Sequence, residues 1–163
     1  MIRLIVDKLG SGHDDIFLKI DNFPTYTKTG DSYYLLDYLE ISTDELKDNN
    51  IEDGQVLNYA TTKLIDYWNK RIGKAEKGTE IFLPFDFQDE YVGGLLLQET
   101  ALGFRTKVVY SDKVHSYEVN KSVFDKVVSD RKIQFIDEEK GEWIVSHDQI
   151  YNGLEWSKNE LKK

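Results

Sequence analysis

The chain has 163 residues, no cysteine, and 30 Asp and Glu against 21 Lys and Arg, a formal net charge of −9. Its length suits one domain with a sizeable core. The missing cysteine excludes disulfides, thiolate catalysis and cysteine-ligated zinc, and the acidic field disfavours nucleic acid and anionic lipid while favouring basic partners.

Ten Tyr, eight Phe and three Trp supply more ring surface than a disordered chain carries. The apolar run before Asp7 is too short for a signal peptide, and no stretch approaches the roughly 18 apolar residues of a membrane span. A cytoplasmic location is the expectation. Residues 1–54 carry net −7, residues 55–78 net +3, residues 79–118 net −4 and residues 119–163 net −1, so the one basic segment lies between the two most acidic ones.

In chain order, Leu4-Ile5-Val6 reads as a strand, followed by a loop at Gly10–Asp15 and a second strand at Ile16–Ile20. Asp21–Pro24 turns the chain. Tyr33 to Ile41 suits a strand by composition, although Leu35, Leu36 and Leu39 also fit helical spacing. Ser42 and Glu45 have capping-box spacing before a short helix. Residues 55–72 give the clearest helix: Leu57, Ala60, Leu64, Trp68 and Ile72 share one face, and Gly73 supplies the stop. Trp68 is expected to anchor the core.

Strands follow at Glu80–Phe87, where Pro84 argues for an edge or a bulge, and at Val92–Gln98. Leu102-Gly103 makes a turn, and Phe104–Tyr110 with Lys113–Val119 reads as a hairpin about Ser111-Asp112. Ser122–Ser129 is a short helix. Arg131–Asp137 and Glu142–Ser146 form a second hairpin about Glu138–Gly141. Ser146 and Gln149 then cap a C-terminal helix that turns Ile150, Leu154 and Leu161 inward. Runs of strands with tight turns, one long helix and one terminal helix predict a single α+β domain with a mainly antiparallel sheet.

No motif carries a recognised chemistry. The three histidines, His13, His115 and His147, include no metal-binding helical pair, and no nucleophile elbow or phosphate loop occurs. No cofactor or metal is expected. Carboxylate pairs recur at Asp14-Asp15, Asp44-Glu45, Asp86-x-x-Asp89-Glu90 and Asp137–Glu139. Most read as solvated turns. The group with most claim to a role is Asp86–Tyr91, which lies among large rings and is expected to leave the sheet as an acidic tip.

Across Phe82–Leu95 the chain resembles a stretch of small acidic bacterial proteins of unassigned function, similar in style to immunity proteins that neutralise toxins. The resemblance implies a cytoplasmic protein that binds a cognate basic toxin domain through an acidic, aromatic surface. The residues expected to touch that partner are Asp86, Asp89, Glu90 and Tyr91, with Asp44, Glu45 and Asp48 as a second patch; no catalytic residue is implied. One alternative is a hydrolase or metal-dependent enzyme that brings His13 and His147 together with their neighbouring Asp residues. Another is a structural or homo-oligomeric module that pairs through tyrosines and strand edges.

Overall fold

A computed structural model describes residues 1–138 and 141–163. Strands β1 (Ile2–Val6), β2 (Ile16–Ile20) and β3 (Tyr26–Gly30) form an antiparallel meander. A second antiparallel sheet contains β4 (Glu80–Phe87), β5 (Val92–Thr100) and β6 (Gly103–Ser111), with β7 (Ile136–Asp137) and β8 (Trp143–Val145) both paired to β6. The helices are α1 (Leu35–Tyr38), α2 (Thr43–Asp48), α3 (Val56–Ile72), α4 (Phe124–Asp130) and α5 (His147–Leu161). The fold is α+β, as expected.

The long helix forms because its apolar residues recur every three or four positions. Ala60, Leu64, Trp68 and Ile72 are buried, joined by Thr61 and Ile65, so the inward stripe is wider than four residues. Helix α3 contacts β1 and β4, and α5 lies along β1 and against α3. The two sheets therefore share one apolar core, running from Ile2 and Leu4 to Val108 and Val145. Trp68 is fully buried in it, and its indole N–H donates to the Pro84 carbonyl at 2.8 Å.

Both expected caps are present. Ser42 Oγ accepts the Glu45 amide at 3.1 Å, and Ser146 with Gln149 closes a capping box on α5. Gly153 does not weaken α5. A Cβ there would sit 2.0 Å from the Ile2 carbonyl oxygen, so glycine is what lets the helix lie directly on β1.

Four expectations fail. Tyr33 to Ile41 is not a strand, because burial of Leu35, Tyr38 and Leu39 follows the helical period and forms α1. Strand β3 goes unforeseen, because Thr27, Lys28 and Thr29 are polar and carry no apolar alternation. Lys113–Val119 is not a strand: Ser111 Oγ accepts the Lys113 amide at 3.2 Å, and His115 to Glu118 closes into a 3-10 turn. Finally, β7 and β8 do not pair with each other. Each adds to β6, β7 at Val109 and Tyr110 and β8 at Phe104 to Thr106. Glu139 and Lys140, expected in the turn between them, lie outside the described residues.

Candidate functional site

Asp86 is the unexpected centre of the molecule. It does not leave the sheet. The predicted irregularity is real, with the β4–β5 register shifting between Pro84 and Asp86, but the bulge turns the carboxylate inward. Asp86 is fully buried, so the expectation that it touches a partner is overturned. Two glycines make room for it: a Cβ on Gly30 or Gly93 would lie 3.0 or 3.1 Å from the Asp86 Cβ.

A buried carboxylate needs partners. One Asp86 oxygen accepts the Asp31 amide at 2.9 Å, and the other accepts the Tyr91 hydroxyl at 3.2 Å and faces Lys28 Nζ at 3.5 Å. Burial pushes the Asp86 pKa up; the Asp31 amide, Lys28 and Tyr91 pull against it. Lys28 also pairs with Glu138. Because Phe87 N–H donates to the Asp31 carbonyl at 2.9 Å, the carboxylate and its strand together tie the end of β3 to β4.

Asp31 passes the connection outward. Its carboxylate accepts the Asp14 amide and meets His13 Nδ1, each at 2.8 Å. The loop carrying His13 is itself pinned: Asp15, buried, accepts Gly12 N–H at 2.9 Å and the Ser32 hydroxyl at 2.8 Å. His13 is exposed and stacks on Tyr33 at 5.5 Å between centroids. The hydrogen bond and charge of Asp31 raise the His13 pKa above the ordinary 6.5. This contribution to stability is complete below about 6.5 and is lost as pH rises through the higher folded value. NMR titration of His13 is expected to give a pKa above 6.5 in the native protein and a lower one in Asp31→Asn; an unchanged value in that variant counts against the pairing.

From Tyr33 the rings continue. Tyr33 meets Tyr34 at 5.0 Å with planes inclined 71°, Tyr34 meets Tyr117 at 6.3 Å and 59°, and Tyr117 stacks on His115 at 5.3 Å. Tyr117 is held there by its neighbours. Ser116 Oγ donates to the Tyr91 carbonyl at 3.1 Å, tying the 3-10 turn to the β4–β5 loop. Arg131 grips Glu118 with two bonds of 2.7 and 3.1 Å and, with the His115 amide, holds its pKa down to about 2.

The β4–β5 loop supplies the acid. Asp89 and Glu90 are exposed. Asp89, beside the Tyr34 hydroxyl, together with partial burial pushes that phenol up to about 12. Tyr91 is half-buried, with its hydroxyl committed to Asp86, so it builds the surface from beneath rather than forming a tip. On α2, Asp44 and Asp48 are exposed, but Glu45 is half-buried and accepts the Tyr59 hydroxyl at 2.8 Å beside Lys63. That bond holds the Glu45 pKa down and takes its carboxylate out of the expected second patch.

His147 lies elsewhere. It faces Glu99 at 3.3 Å and packs on Phe104, so it shares no partner with His13. Among the described residues no group of three His, Asp or Glu side chains is placed to hold a metal ion. A groove of about 600 Å³ on the second sheet is floored by Phe82, Leu96 and Gln98, and none of its lining residues belongs to the His13–Asp86 array. Its cations are already paired: Arg71 with Asp125, Arg105 with Glu142 and Lys107 with Asp137.

No protein-family model, curated protein or solved structure matches the chain. The site has to be read from its own geometry. The residues expected from sequence include Asp89 and Glu90 but not Tyr33, Tyr34 and Tyr117; Tyr34 and Tyr117 are 83 positions apart and carry no shared motif. The adjacent Tyr33-Tyr34 pair, two residues after Asp31, is the one local signal. No described helix is long and apolar enough to cross a membrane.

Proposed function

We propose that this chain is a non-enzymatic binding protein that docks a basic protein, in the manner of an immunity protein neutralising a toxin domain in the cytoplasm. The observation that supports the reading is the ring cluster of Tyr33, Tyr34 and Tyr117, with Tyr33 and Tyr117 exposed, and the exposed acids Asp89 and Glu90 of the β4–β5 loop. Such a surface suits binding. Tyrosines offer large contact area at small entropic cost, and flanking carboxylates steer a cationic partner toward them. The net charge of −9 acts in the same direction at longer range.

The site is also built to be rigid. Three of its contributing segments are held by side chain to backbone bonds: the His13 loop by Asp15 and Asp31, the β4–β5 loop by Ser116, and the 115–118 turn by Glu118. A pre-formed surface loses less entropy on binding.

The test is co-expression with the proteins encoded beside it, followed by affinity capture at low and high salt. A basic partner should be retained at low salt, and the double charge reversal Asp89→Lys and Glu90→Lys should weaken it about tenfold or more. Failure to retain any neighbouring product, with no salt-sensitive binding to any basic protein, removes the proposal.

A further inference from the structure

We infer that the corner formed by Tyr33, Tyr34 and Tyr117 receives an arginine side chain of the partner; the inference rests on the binding reading above and gives that site its chemistry.

The geometry is a corner, not a flat stack. Tyr34 stands between the other two rings, inclined 71° to one and 59° to the other, so the three rings do not share a plane. Tyr33 is 60% exposed and Tyr117 62%, with His115 stacked on one face of Tyr117. The far side of Tyr33 is occupied by His13, whose charge is met by Asp31.

The charge is equally specific. Asp89 sits against the Tyr34 hydroxyl, and Asp37 is close enough to act on the same phenol. Among the described residues neither carboxylate has a Lys or Arg partner, whereas Asp21, Asp125, Asp137 and Glu118 elsewhere on the surface each hold one. An ionised carboxylate has acceptor sites for several donors. Exposed rings and acid without a Lys or Arg partner thus lie side by side.

Both features favour guanidinium over ammonium. A guanidinium is planar, stacks on tyrosine faces, and carries five donors for a neighbouring carboxylate. It also surrenders its hydration more easily than the compact lysine ammonium. A lysine would feel the acid but use little of the rings.

Fluorescence anisotropy with labelled octa-arginine and octa-lysine separates the two. At moderate salt the wild-type protein should bind octa-arginine about fivefold more tightly than octa-lysine. The double variant Tyr33→Ala, Tyr117→Ala should erase that preference while leaving octa-lysine binding within about twofold, since only the stacking is removed. Both rings are exposed, and circular dichroism checks that the variant folds; Tyr33→Leu with Tyr117→Leu repeats the test with bulk retained. Equal affinity for the two peptides, or a preference that survives both variants, overturns the inference and leaves general binding of basic proteins standing. Absence of binding to either peptide at low salt overturns both.

Discussion

Asp86→Ala is expected to destabilise the protein by about 3 kcal/mol at neutral pH, the lower end for breaking a buried ion pair because Lys28 retains Glu138. The loss combines three orphaned groups: the Asp31 amide, the Tyr91 hydroxyl and, in part, Lys28. Urea titration followed by circular dichroism measures it. Asp86→Asn keeps the shape and one acceptor, and should cost about 1 kcal/mol, the scale of one ordinary hydrogen bond. The two variants also differ in pH dependence. Burial raises the folded pKa of Asp86 above its ordinary 3.8. A group raised in this way contributes stability that is present at low pH and lost as pH rises through the folded value. The wild-type protein should therefore gain on Asp86→Asn as pH falls toward 3.8. A difference that stays flat across that range rules out a folded pKa raised by burial.

Trp68→Ala is expected to cost about 4 kcal/mol, within the range for deleting a large ring from a closed core. Trp68 has no exposure, lies on the face of α3 that meets β4, and spends its N–H on the Pro84 carbonyl. Trp68→Phe separates the terms. It keeps most of the ring and leaves the Pro84 carbonyl unpaired, for about 1–2 kcal/mol. Equal losses in the two variants would mean that the hydrogen bond, not the packing, carries the effect. Intrinsic stability is read from denaturant midpoints with an unchanged slope.

Much of this frame is legible in the residues because its causes are local. The α3 stripe, the Ser42 and Ser146 caps and the Pro84 bulge each depend on positions a few residues apart. What sequence cannot display is pairing across long separations. Strand β3 is a strand only because β2 lies beside it, and β7 and β8 are strands only because β6 is long enough to serve both. Asp86 shows the same limit at the site. Its neighbours Asp89 and Glu90 are equally acidic, and all three lie within two residues of an aromatic side chain. Only the tertiary approach of Gly30, Lys28 and Asp31 decides which one is buried. The tyrosine corner escapes for a related reason, because Tyr34 and Tyr117 meet through Ser116 and the Tyr91 carbonyl, a contact no local pattern encodes.

The doubled pairing on β6 has a consequence for how the molecule keeps to itself. A long bare strand at the side of a sheet is a template on which other chains can grow, and natural proteins blunt it. Here that side is taken by strands of two and three residues, with the Val108 carbonyl between them accepting the Glu138 amide at 3.0 Å. Beyond β8, Asn22 donates to the Ile144 carbonyl at 3.0 Å and Trp143 to that of Pro24 at 2.8 Å. A second polypeptide arriving there finds short, interrupted rungs instead of a ladder. The protein can hold its tyrosines open to water without offering this side of the sheet for aggregation.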